Sequence, residues 1–148
     1  MGPRLGILII GVVYLILGIL GFVPGLYATP PAGVPPLHVT AGYGFLFGIF
    51  PVNITGDIFR IVVGVLGILF AATFRTAESY SRLIALVFAI LTFCGFVPHI
   101  DTLLGAMPIY SNDAWLHMAT AVIAAYFGWV ASAETNLAPA TSLVHPHA

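Results

Sequence analysis

The sequence predicts an all-α integral membrane protein, a four-helix transmembrane bundle made of two parallel two-helix repeats. Three observations carry that prediction. Of 148 residues, 60% are hydrophobic and 6% charged, with mean hydropathy +1.09, whereas a soluble domain carries about 25% charged residues. Four apolar stretches approach the roughly 20 residues needed to cross the hydrocarbon core. Finally, Gly21-Phe22-Val23-Pro24 recurs unchanged as Gly95-Phe96-Val97-Pro98, an offset of 74 positions.

The spans expected from hydropathy are residues 5–26, 57–74, 80–97 and 113–131. Arg4 precedes the first, but the apolar run behind it is long and reaches Pro24 and Gly25 without a cleavage pattern, so it is expected to be a permanent span. Between the first two spans, the prolines of residues 30–36 favour an extended path. Residues 38–50 are apolar but short, and stop at Pro51-Val52-Asn53; they read as a re-entrant or interfacial segment in the outer loop. The membrane domain is expected to occupy residues 1–133, with halves at about 5–75 and 80–133, and residues 134–148 read as a flexible tail.

Arg4, Arg75 and Arg82 fall on one face of a four-span bundle, which makes that face cytoplasmic together with both termini. The net charge of −1, with four basic residues and no lysine, offers no basic surface for phosphates, which excludes a nucleic-acid partner. The single Cys94 can form neither an internal disulfide nor a cysteine zinc cluster, and reads as a packed thiol.

The repeat predicts packing faces as well. Leu46-Phe47-Gly48-Ile49-Phe50-Pro51 resembles Leu103-Leu104-Gly105-Ala106-Met107-Pro108 at an offset of 57, so the first outer loop is 17 residues the longer. Gly11, Gly18 and Gly25 share a helix face, matched by Ala85, Thr92 and His99 in the third helix. The second helix offers Arg60, Gly64, Gly67 and Ala71, matched by His117, Ala121, Ala124 and Gly128 in the fourth. Small residues let backbones approach where lipid gives no hydrophobic drive, so these rows are expected to face the interior.

The two Gly-Phe-Val-Pro turns, the Leu46–Asn53 run and the four-span repeat resemble an uncharacterised bacterial membrane family. It is one of the domains of unknown function found mainly in actinobacteria and cyanobacteria, and the resemblance covers roughly residues 5–130. It implies the fold and a bacterial inner membrane, or a thylakoid membrane in a cyanobacterium, and no assigned chemistry or cofactor. That family commonly has a histidine in the second helix after the Pro-Val-Asn run; this chain has Arg60 there, while His117 keeps the imidazole in the second half. The small DoxX-like membrane proteins are similar in size and span number.

Ionisable residues in membrane helices are costly and are the first functional suspects. His38, Asp57, Arg60, His99, Asp101, Asp113 and His117 gather at the outer end. Asp57 and Arg60 are three apart and Asp113 and His117 four apart, so each pair can meet on its helix. Capping and ion pairing at the bundle rim account for this set, and a ligand or ion site is the competing reading. His99, Asp101, Asp113 and His117 have zinc or iron ligand chemistry without a motif that fixes a geometry, so no metal site is assigned. Tyr43, Phe45, Phe47, Phe50, Tyr110 and Trp115 read as an interfacial aromatic belt.

The sequence has no nucleophile triad, phosphate loop or Cys-His pair, so an enzyme is not expected. The leading expectation is a structural or accessory subunit of a larger membrane assembly, photosynthetic or respiratory, touching lipid and other membrane proteins. The alternative is a binder or carrier of a small molecule, lipid, pigment or ion beneath the outer loops.

Overall fold

A computed structural model describes residues 2–137, which form a mostly helical chain. The order is α1 (Pro3–Leu20), a 3-10 turn (Pro24–Leu26), β1 (Tyr27–Ala28), β2 (Gly44–Leu46), β3 (Phe50–Val52), α2 (Ile54–Phe70), α3 (Phe74–Phe96), α4 (Asn112–Ala125), a π turn (Tyr126–Val130) and α5 (Ala131–Leu137). Among the described residues three helical stretches are long and apolar enough to cross a membrane: Pro3–Leu20, Phe74–Phe96 and Asn112–Thr135. The apolar α2 has 17 residues.

Local chemistry moves the helix ends from where hydropathy puts them. α1 stops at Leu20, because Pro24 holds Val23 extended and the chain turns after Gly21. α2 starts at Ile54, three residues earlier than Asp57, because the Asn53 side chain accepts from the Gly56 N–H at 2.9 Å and caps the helix. Thr73 caps α3 by accepting from the Thr76 N–H, so α3 begins at Phe74 and only three residues separate it from α2. Beyond α4 the helix widens into the π turn, where Ser132 Oγ donates to the Phe127 carbonyl, and continues to Leu137. Residues 134–137 are therefore helical rather than tail, and residues 138–148 lie outside the described residues.

The re-entrant or interfacial helix expected over 38–50 does not form. Three glycines between residues 42 and 48 disfavour helix there, and the segment supplies β2 and the turn into β3 instead. The antiparallel sheet has the order β1-β2-β3, with Tyr27 opposite Leu46 and Phe45 opposite Pro51. Pro51 is tolerated because β3 is an edge strand and loses no ladder bond through its missing N–H.

α1 packs along α2 and α3 along α4. Close approach needs glycine: a Cβ on Gly64 would lie 2.5 Å from the Leu15 backbone nitrogen, one on Gly11 2.9 Å from the Gly64 carbonyl oxygen, and one on Gly67 2.9 Å from the Gly11 Cα. Gly18 faces the Asp57 carbonyl and Ile61, while Gly128 lies against Arg82. Ala85, Ala121 and Ala124 are buried. Gly25 and His99 leave this pattern. Both lie beyond their helix ends and are exposed, with open space where a Cβ on Gly25 would stand, so neither contributes to packing.

The two hairpins meet in an aromatic centre. The Tyr14 and Phe88 rings make an edge contact at 5.0 Å, and Phe88 also packs on Phe59 and edge-on to His117. Toward the opposite end, Phe70 of α2 stacks on Tyr80 of α3, while Phe127 packs over Gly6 of α1. Arg4 Nε donates to the Ala71 carbonyl, which brings the start of α1 to the α2–α3 turn; Arg82 Nε donates to the Gly128 carbonyl. The expected aromatic belt divides. Phe45 and Tyr110 are buried and Tyr43 and Phe50 half-buried, whereas Phe47 and Trp115 are exposed.

Candidate functional site: a buried ionic network

The first two turns of α2 and α4 carry four buried ionisable side chains, and these bridge the two helices. Arg60 Nη1 donates to Asp57 Oδ1 at 3.1 Å, and its Nη2 donates to Asp113 Oδ1 at 2.7 Å across the hairpin interface. The same Nη2 reaches the Pro51 carbonyl at 3.3 Å. On its other side Asp113 Oδ2 faces His117 Nε2 at 3.3 Å. The planar guanidinium suits this task, because its fixed fork can address two carboxylates and a carbonyl at once.

All four side chains are buried, His117 to 1% exposure. Both pairs expected from spacing form, Asp57 with Arg60 and Asp113 with His117, but inside the bundle rather than at its rim. Nor does Asp57 cap its helix: Asn53 does, and the Asp57 carboxylate turns inward against Gly21, just past the end of α1, where any Cβ would collide with it. Gly21 is therefore required by the acid it covers. His117 Nδ1 has no hydrogen-bond partner, and Phe88 lies edge-on to its ring.

A roof of polar contacts holds this network in place. Asn53 Nδ2 donates to the Val39 and Ala106 carbonyls at 2.9 and 2.8 Å, so one amide ties both long loops to the start of α2. Tyr43 and Tyr110 share a short hydroxyl–hydroxyl bond above it. Burial and that bond push the Tyr110 phenol up, which keeps it protonated through the physiological range. Deeper in the bundle Tyr14 OH meets Thr120 Oγ1 at 2.9 Å. Sequence reasoning missed Asn53 and Tyr14 as structural polar groups. An Asn directly before an apolar helix is a readable cap, but its loop partners lie 14 and 53 residues away.

The remaining candidates stand apart. Asp101 is half-buried, with its carbonyl accepting from the Ile109 N–H, and does not pair with Arg60. His99 is exposed, with a left-handed φ of 76°. Both line a recess of about 420 Å³ whose other wall is the proline-rich stretch 33–36. His38 is exposed, its N–H donating to the Gly105 carbonyl. Among the described residues no three His, Cys, Asp or Glu side chains converge as metal ligands would. A second, apolar groove of about 360 Å³ opens between α1 and α4, lined in part by Gly6, Val13, Tyr14, Ala119 and Ile123.

The family model described as Domain of unknown function (DUF4383) matches residues 4–130. No curated protein and no solved structure matches the chain.

Proposed function

The chain belongs to the family of Domain of unknown function (DUF4383), and from that premise we propose that it is a non-enzymatic, four-span subunit that scaffolds a larger membrane assembly, photosynthetic or respiratory. The observation that carries this reading is the buried ionic network at the outer end. Arg60 is shared between Asp57 and Asp113, Asp113 between Arg60 and His117, and all are buried. Such a set joins the two hairpins and engages both terminal nitrogens of the guanidinium within the protein. The lateral faces are left as continuous apolar surface, with Ile9, Val13, Leu86, Ile90 and Val122 exposed. They suit lipid and neighbouring membrane helices.

In this reading α2 is the fourth span; its 17 residues meet the lower end of the spanning range, about 17–25. Both termini face the cytoplasm of a bacterial inner membrane, or of a thylakoid in a cyanobacterium, because Arg4, Arg75 and Arg82 lie at the end where α1 starts and α2 turns into α3. Matching positions of the two halves support a parallel repeat. At the 74 and 57 offsets Tyr14 corresponds to Phe88, Gly21 to Gly95, and Asp57 to Ala114. Gly21 is covered by Asp57 as Gly95 is by Ala114, and Tyr14 touches Phe88 where a pseudo-twofold axis would pass.

A second reading, a small-molecule binder beneath the outer loops, is favoured by one feature: the recess that brings His99 and Asp101 against Pro35 and Pro36. Isolation in mild detergent separates the two. A stoichiometric large membrane partner is the result expected of a scaffold subunit. A monodisperse chain carrying a pigment, lipid or metal, and lost to it on His99→Ala, would replace that reading with the second.

A further inference from the structure

Two turns in the outer layer repeat an unusual combination. Leu46-Phe47-Gly48-Ile49 joins β2 to β3, with the Ile49 N–H donating to the Leu46 carbonyl at 3.0 Å; φ is 54° at Phe47 and 72° at Gly48. In Leu103-Leu104-Gly105-Ala106 the Ala106 N–H donates to the Leu103 carbonyl at 3.3 Å, with φ of 58° at Leu104 and 83° at Gly105. Two central residues at positive φ form the turn that favours Asn-Gly or Asp-Gly, since a bulky L side chain is strained there. Here the first central position holds Phe in one half and Leu in the other. Both are also held out of the fold, 52% and 80% exposed. Each half thus accepts backbone strain and apolar exposure together, at the same position of the same turn.

The turns are pinned at a defined height. Asn112 Nδ2, at the first residue of α4, donates to the Ile49 carbonyl; Asn53 Nδ2, at the cap of α2, donates to the Ala106 carbonyl. Each tip is therefore docked on the helix start of the opposite half, level with the first helical turns. Exposed Trp115 stands at that level and lines a surface recess with Ile49 and Phe50.

We propose that Phe47 and Leu104 are a pair of lipid anchors, seated in the boundary between headgroups and acyl chains of the outer leaflet. This rests on the four-span reading above. A twofold axis along the membrane normal keeps the two tips at one depth while placing them on opposite sides. A bilayer meets both sides at once, whereas a single protein partner would cover one. The interface is also where an apolar side chain beside an exposed indole gains most.

The test uses full-length protein in phosphatidylcholine nanodiscs, with Trp115→Phe and Trp129→Phe as background and Phe47→Trp or Leu104→Trp as probe. Lipids brominated near the headgroup end of the chain should quench both probes strongly, and aqueous iodide weakly. Iodide quenching with no bromolipid quenching would overturn the anchor alone and leave the outer placement standing. Quenching strongest from bromine at the chain end would overturn the anchor and the four-span reading together. Should the indole disturb the tighter turn, a nitroxide on Leu104→Cys in a Cys94→Ala background reads the same property: oxygen should relax it more than a water-soluble nickel chelate, and the reverse order would reject the proposal.

Discussion

At the scale of single residues, Arg60 has the largest consequences. Its guanidinium balances two buried carboxylates on different helices, and removing one partner of a buried ion pair leaves charge that neither water nor protein satisfies. Arg60→Gln should therefore cost about 3–5 kcal/mol, read as a lower Tm in detergent. Because carboxylates and the Pro51 carbonyl supply its contacts, native mass spectrometry should find the co-purified lipid unchanged. Release of a bound anion on this substitution would contradict the carboxylate account. Glu78→Gln is the contrast: its pair with Arg82 is partly solvated, and its loss should cost under about 1 kcal/mol. The contacts within each helix were legible from spacing alone, since residues three or four apart share a face. The bond from Arg60 to Asp113 was not, because those residues are 53 positions apart and meet only once the hairpins dock.

Among the elements, the small-residue rows of α1 and α2 decide how near the helices come. A Leu at Gly64 would be driven into the backbone of Leu15, and a Leu at Gly18 into the backbone of α2. Either substitution should cost about 1–3 kcal/mol or more through overpacking, with a matching fall in Tm. Gly25→Leu is the internal control. It shares the sevenfold spacing but lies beyond α1 with no neighbour within 4 Å, so its Tm should stay close to that of the parent. An equal loss at all three positions would mean that the faces are not set by this packing. The spacing made Gly11 and Gly18 visible in the sequence, yet it could not show that the helix ends before Gly25. Residues 38–50 were harder for another reason. An apolar run of that length is compatible with strand or helix, and the pairing of Phe45 with Pro51 and Ala28 depends on the tertiary arrangement of two loops.

For the whole molecule the decisive quantity is the number of crossings, because it sets which groups meet the outer medium. Three stretches are long enough to cross by length and hydropathy, and α2 decides between an odd and an even count. If α2 crosses, the short turn between Phe70 and Phe74 returns to the side from which α1 begins. The Arg4 bond to the Ala71 carbonyl already joins those two ends of the structure. A reporter inserted at Ala72, which is exposed in that turn, should then report cytoplasm, and a fusion after Ala148 should agree. A reporter in the proline-rich stretch at Gly33, exposed in the outer loop, should report the opposite side. An external signal at Ala148 with an internal one at Ala72 would require an odd number of crossings. That result would leave one of α3 and α4 short of a full crossing, and the four-span reading in which the Arg60–Asp113 bond welds the hairpins at their outer end would fall.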